Sequence, residues 1–483
     1  MRTPRPHSNP ARAFGLALLL AAPLPAGAEP LVSAEVLEQA AQLRDAALAD
    51  DGAWDWVEGL TTEVGPRLAG TPEEAAARDW TVRKLRALGF PKKDVRVEPF
   101  EVETWVRGDE TGRIVSPYPQ KLVLTALGRS AATGAEGLEA EVVVFETVDE
   151  LERQPEGALA GRIAYIGHAM NKTQNGSSYG YFGKARFQGP SIAASKGAVG
   201  CLIRSVGTHS HRMPHTGGTG WQDVDPIPAA ALSPPDADQI ERIAARGETI
   251  RVSMTLTPEF QGTRPSGNVI ADLRGSERPE EIVIVGGHLD SWDLGTGAVD
   301  DGAGVAITTA AVDLIRRAGL TPQRTIRVVH WGAEEVGLFG ARAYAERHAA
   351  TIDQHVLGSE SDFGADRIYG LEGHLSAEGQ QVAEEMLRLM APLGVGRGQL
   401  GPRFQGSSGP DLSPLNAMGL PRFRLKQDGT DYFDYHHTPD DTVDKIDPEK
   451  LRQNVAAYVV FLWIAANTDV DFRPQPSGAE LSE

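Results

Sequence analysis

From residue 268 onward, short apolar runs alternate with stretches of helical periodicity, and acidic or histidine residues follow most of the runs. Residues 281–285 are apolar and β-branched after one acid, the pattern of a strand buried on both faces. Residues 304–318 read as a helix, 325–329 as a strand, 339–348 as a helix, 355–357 as a short strand, 376–390 as a helix and 421–425 as a strand. Asp447 and Pro448 offer an N-cap and a first-turn proline. The helix they open contains 455–466, which is apolar all round and too short to span a membrane, so it belongs in a core. This alternation predicts an α/β fold with a mostly parallel mixed central sheet flanked by helices.

That fold fixes where chemistry can sit, because open α/β sheets build their sites at the carboxyl ends of strands. His288 follows the 281–285 strand after two glycines, Glu334-Glu335 follow 325–329, and Asp362 follows the strand near Val356. His437 lies in the loop after 421–425, and Asp300-Asp301 sit in the turn that opens the 304–318 helix. Segments far apart in sequence can thus converge on one edge. A lone Glu-Glu pair is usually a solvated face, and a lone His beside a glycine turn is usually structural. The ordered set is what points to a metal site.

His and carboxylate ligands without Cys favour catalytic zinc or a similar ion over structural zinc. A two-metal hydrolytic site needs a bridging carboxylate, further ligands on each ion, and a free carboxylate for the proton of the attacking water. His288 and Asp362 suit one ion, Glu335 and His437 the other, with Asp300 bridging. Glu334 is left as the general base, and Asp290 is placed to orient the His288 imidazole from behind.

Upstream, residues 35–49 and 71–88 read as helices, separated by the rigid turn Gly65-Pro66-Arg67-Leu68-Ala69-Gly70. Between about 118 and 256 the texture changes to short β-type runs (121–126, 141–146, 161–166, 200–203, 249–256) with helical pieces at 189–196 and 235–246. This reads as a β-rich module inserted in the chain. Two of its loops, 174–183 and 207–220, are Gly-rich, and the second carries His209, His211 and His215. That loop is solvated by default. Its other readings are a segment reaching over the site to touch substrate, and a metal site. The expected organisation is a first catalytic part at 29–117, the insert at 118–262, the rest of the catalytic domain at 263–470 and a tail at 471–483.

Residues 1–28 read as a secretory signal peptide: Arg2, Arg5 and Arg12, an apolar stretch at 14–24, and a small-residue cleavage pattern at Ala26-Gly27-Ala28. Its removal takes three Arg and no acid and moves the net charge from −19 to −22. A field this acidic excludes nucleic acid and anionic membrane as partners. The mature chain is expected to be secreted or periplasmic. The single Cys201 sits in an apolar run, leaves no internal disulfide, and reads as a small buried hydrophobe.

Five strings carry a family resemblance. Gly286-Gly287-His288-Leu289-Asp290-Ser291, Asp300-Asp301-Gly302-Ala303-Gly304, Ala333-Glu334-Glu335-Val336-Gly337, Glu360-Ser361-Asp362 and His437-Thr438-Pro439-Asp440-Asp441-Thr442 resemble the motifs of the co-catalytic dizinc exopeptidases. That family includes secreted bacterial aminopeptidases and plasma glutamate carboxypeptidase (carboxypeptidase Q). The run 288–293 with its Ser-Trp-Asp and the doublet His436-His437 resemble the latter branch most. The turn at 65–70 and residues 85–90 look like the family's N-terminal region, and the resemblance covers most of 50–470.

The resemblance implies a zinc exopeptidase fold of the phosphorylase/hydrolase-like kind, an insert of the protease-associated type, two Zn2+ ions per chain and a homodimer. The implied reaction is hydrolysis of a terminal bond in a small peptide, dipeptides first. Some relatives carry Tyr just before the last His ligand, as a donor to the oxyanion. Here that place is His436, a candidate for the same role or for packing. The competing readings are an aminopeptidase on longer peptides, a metal-free receptor-like relative, and a single-zinc acyltransferase of the glutaminyl cyclase kind. Intact residues for both ions argue against the last two.

Overall fold

The computed structural model describes Met1 and residues 30–474, so the signal peptide read over 1–28 and most of the 471–483 tail lie outside the described residues. The chain enters through helices Ala34–Ala47, Gly52–Glu63 and Pro72–Leu88. Thr71 caps the third, Pro72 fills its first turn, and Gly89 at φ +108° closes it.

The central sheet has five strands in the order Val95–Val106, Glu259–Leu273, Arg324–Trp331, Arg278–His288, His355–Glu360. It is mixed. The two parallel pairings are both made by Arg278–His288, with its neighbours on either side, and the other two are antiparallel. The apolar run inside Arg278–His288 is buried on both faces, as its composition requires. Val283 and Val285 pack into one core with the helices Ala303–Arg317 and Pro448–Ala466. Ile282 and Ile284 pack into another with Trp331, Tyr344 and Leu415. Asp447 caps Pro448–Ala466 through bonds from Glu449 N (2.8 Å) and Lys450 N (3.4 Å), and that helix is buried from Val455 to Ala466. Among the described residues, no helix is long and apolar enough to cross a membrane.

Two features depart from the sequence expectation. The strand read at 421–425 forms as Arg422–Gln427, outside the central sheet. It pairs antiparallel with Ile368–His374 in a three-stranded sheet completed by Gly396–Leu400. Second, Val95–Val106 and Glu259–Leu273 pair along their whole length, from Val95↔Ala271 to Val106↔Glu259. The chain therefore leaves the central sheet and returns to it side by side. The excursion between builds a separate eight-stranded sheet from Glu110 to Leu256. This sheet begins before residue 118, and residues 259–262 belong to the returning strand. From Leu31 on the chain clusters as one unit, so the second sheet packs into the same body as the first.

Candidate metal centre

Gly286 and Gly287 precede His288 because the strand end has no room for side chains. A Cβ on Gly287 would lie 2.3 Å from Asp301 Oδ2. That oxygen instead accepts from His288 N at 3.0 Å, while Asp301 Oδ1 accepts from Gly304 N at 3.1 Å, tying the strand end to the start of helix Ala303–Arg317.

His288 Nδ1 faces the carbonyl oxygen of Asp290 at 2.9 Å. With the proton on that nitrogen, Nε2 presents its lone pair to the site. Nε2 lies 3.1 Å from Asp300 Oδ1 and 3.6 Å from Asp362 Oδ1. On the other side, His437 Nε2 lies 3.2 Å from Asp300 Oδ2 and 3.0 Å from Glu335 Oε2. Asp300 thus lies between two pairs, His288–Asp362 and Glu335–His437, and the structure brings together the five residues read from the sequence as ligands.

Three observations fit this cluster to divalent cations. Donor atoms of His288, Asp300 and Glu335 lie within 4.8 Å of one another, as do those of His288, Asp301 and Asp362, and those of Asp300, His436 and His437. Asp300 Oδ2 and Glu335 Oε1 are buried without a hydrogen-bond partner. The acids also crowd each other: burial, then the charges of Asp362, Glu335 and Asp290, push the Glu334 carboxyl well above its usual range, against the pull of His288. Burial alone would hold the His288 ring neutral, but Asp300 and then Asp362 raise its pKa well above the ordinary value. In such a cluster a proton and a metal ion compete for the same lone pair.

Asp290 sits elsewhere than expected. Its carboxylate is 3.8 Å from His288 Nδ1, and the backbone carbonyl does the orienting. The carboxylate instead accepts from Glu334 N at 3.0 Å and Glu335 N at 3.3 Å, and so holds the turn that carries the base and one ligand. The reason is local. The Glu334–Glu335 turn leaves two inward-pointing N–H groups that need an acceptor.

His437 is likewise delivered differently. It comes from a turn after the short helix Tyr432–Tyr435 and has φ +61°. The second sheet's 207–220 loop clamps that turn. Thr216 N donates to His437 O (3.0 Å), His437 Nδ1 faces Thr216 O (3.2 Å), and His215 Nδ1 faces His436 O (2.6 Å). His215 is buried and acts on the site through the backbone, His209 stacks on His215, and His211 is exposed.

His436 stacks on His437 with ring centroids 3.5 Å apart. Its Nε2 is 3.7 Å from Asp300 Oδ2, and its Nδ1 has no partner. Burial, and then the charge of His437, keep this ring neutral.

Sequence reasoning missed two supports. Arg67 is fully buried and donates to the carbonyls of Leu289, Gly65 (3.2 Å), Thr296 (2.7 Å) and Gly297 (2.8 Å), pinning the loop between His288 and Asp300. Asp441 accepts from Val299 N (2.6 Å) and Asp300 N (3.3 Å) and so sets the bridging residue from the His437 turn. Both residues lie inside strings that stood out in the sequence, and that was their only signal. The site opens into a cavity of about 590 Å3, walled on one side by Tyr179, Arg186 and Phe187 from short helices in the stretch partly read as the 174–183 loop.

A buried His–carboxylate cluster at the ends of parallel strands, with a spare Glu on an open cavity, defines an α/β metallohydrolase. Known proteins agree. The model of peptidase family M28 matches residues 268–462. Carboxypeptidase Q of Mus musculus is 35% identical over 411 residues, which is 85% of this chain and 84% of that protein. The solved structure of a peptidase M28 precursor from Shewanella amazonensis is 46% identical, with TM-score 0.88, covering 92% of this chain and 99% of that one. A zinc aminopeptidase from Bacillus subtilis shares the fold at 21% identity and TM-score 0.63, over 87% of this chain and 97% of its own. The chain belongs to peptidase family M28.

Proposed function

We propose that this peptidase is an exported, zinc-dependent exopeptidase that cleaves the terminal bond of short peptides, dipeptides first. The observation that carries the reading is the Asp300 carboxylate spanning the His288–Asp362 and Glu335–His437 half-sites while Glu334 stays outside both. The similarity to carboxypeptidase Q over most of both chains supports exopeptidase action, and the apolar stretch within 1–28 supports export.

His288 and Asp362 would hold one zinc ion, Glu335 and His437 a second, and Asp300 both. Zinc bound there supplies Lewis acidity toward the scissile carbonyl and acidifies water. The rest falls to the chain. Glu334, lining the cavity, takes the proton of the attacking water and returns it to the leaving amine. Asp290 fixes the turn on which Glu334 rides. His436, neutral and with a free ring nitrogen, donates to the oxyanion of the tetrahedral intermediate. The excursion at 107–258, a module of the protease-associated type, walls the cavity through its Tyr179–Phe182 and Lys184–Phe187 helices.

A panel of free dipeptides, longer peptides and N-blocked peptides tests this with the zinc-loaded protein. Free dipeptides should be cut best and N-blocked ones not at all. Faster cleavage of longer peptides would make it an aminopeptidase of broad length range, and no cleavage of any would end the reading.

A further inference from the structure

Arg186 is only 2% exposed and lines the cavity, yet no carboxylate among the described residues pairs with it. The other buried arginines are answered. Arg327 meets Asp272 at 2.7 Å, Arg324 meets Glu281 at 2.5 Å, and Arg67 is spread over backbone carbonyls. Arg186 has the Tyr179 hydroxyl on Nη2, the Thr216 carbonyl 3.4 Å from Nη1, and His437 Nδ1 3.1 Å from Nη1. Its Nε has no partner.

The contact with His437 supplies no countercharge. When His437 ligates through Nε2, its Nδ1 carries a proton and points at Thr216 O, 3.2 Å away. Arg186 Nη1 then faces a donor rather than an acceptor. A guanidinium cannot shed its charge, and burying one without an anion is costly. The seat is nonetheless built for it. Its Cζ lies 4.5 Å from the Phe187 ring centroid, and a Cβ on Gly217 would come within 2.5 Å of the same atom. A cation held this tightly, with donors unmet, beside a peptidase site, lacks its anion.

We propose that Arg186, with the Tyr179 hydroxyl beside it, binds the free α-carboxylate of a dipeptide's second residue. The planar fork accepts a carboxylate through two parallel hydrogen bonds. When the bond cut is the N-terminal one, only a dipeptide places that carboxylate one residue past it, so the contact then selects dipeptides over longer chains. The inference rests on the exopeptidase reading above and names its substrate class.

The test uses the zinc-loaded full chain with a free-acid dipeptide and its C-terminal amide. Wild type should favour the acid by about 100-fold or more in kcat/KM. Arg186→Met should cut that acid-over-amide ratio by about 100-fold, with metal content unchanged. Arg186→Lys should recover part of the loss. Independently of turnover, calorimetry on zinc-loaded Glu334→Gln should show the acid binding about 100-fold more tightly than the amide, and the added Arg186→Met should remove that difference. Equal losses on acid and amide, or a wild type that treats them alike, would overturn the carboxylate role while leaving the peptidase reading intact. If the wild type cuts neither, the peptidase reading falls, and calorimetry alone decides on Arg186. Should Arg186→Met fail to fold, Arg186→Lys and Tyr179→Phe carry the same comparison.

Discussion

Replacing Asp290 with Asn probes how the Glu334–Glu335 turn is held. The carboxylate accepts from Glu334 N at 3.0 Å and from Glu335 N at 3.3 Å, with no solvent exposure. Hydrogen bonds to a charged acceptor contribute ~1.5–3 kcal/mol each. Asn keeps one acceptor and turns an NH2 group toward the second N–H, so one bond is lost and a buried donor is left unpaired. The local penalty is about 3–5 kcal/mol. The cheapest relief is a shift of the turn, and a displacement of ~1 Å at a reacting group costs ~100-fold in rate. Glu335 moves with it, weakening its ion ~10–100-fold. The assay is kcat on a dipeptide, chelator competition for metal affinity, and anomalous scattering to locate which ion is lost. The expected result is a ~100-fold drop in kcat with loss first from the Glu335–His437 position. Loss first from the His288–Asp362 position, with the Glu334 turn undisturbed, would refute the reasoning and make Asp290 an orienter of the imidazole.

Three further outcomes follow from the same geometry. Arg67→Met removes donors from four carbonyls, three of them buried, so the folded state should lose about 3–4 kcal/mol, read as a lower urea midpoint, and an unchanged midpoint would mean the loop holds itself. Burial by itself would raise the Glu98 carboxyl, but the hydrogen bond from His348, and then the charges of His348 and Arg96, bring it from 4.5 to about 2. A carboxylate depressed in the fold stabilises above its unfolded value and loses that stability as pH falls through the folded one. After discounting for solvent screening, Glu98→Gln should cost about 1–2 kcal/mol at pH 7 and almost nothing near pH 2 in urea titrations, and a cost that does not change with pH would rule out a role for its charge. His436→Ala should lower turnover by ~100-fold with metal content intact, whereas an unchanged turnover number would reduce His436 to packing.

The site was legible because its ligands follow strands whose burial shows in composition. Residues 281–285 had to be buried on both faces, and His288 ends the strand they form. The Asp447-Pro448 start was equally legible, since a cap and a first-turn proline act within four residues. Less legible was the edge strand Val95–Val106. There Val97 faces solvent at 41% exposure while Glu98 is buried against His348, the reverse of what alternation suggests. The second sheet's approach to the site was hidden for another reason. Arg186 meets His437 and His215 meets the His436 carbonyl across 251 and 221 residues of sequence, contacts that no local pattern shows. Asp290 was placed in the right shell but given the wrong partner, because sequence spacing cannot tell a carbonyl from a carboxylate.

The central claim is that Asp300, His288, Asp362, Glu335 and His437 hold two ions and Glu334 holds none. Zinc quantification on purified Glu334→Gln, paired with its turnover of a dipeptide, tests this most directly. The expected result is the same two zinc ions per chain as in the wild type and a turnover reduced by ~1000-fold or more. Loss of an ion on substitution, or two ions retained with turnover within about tenfold of the wild type, would contradict it.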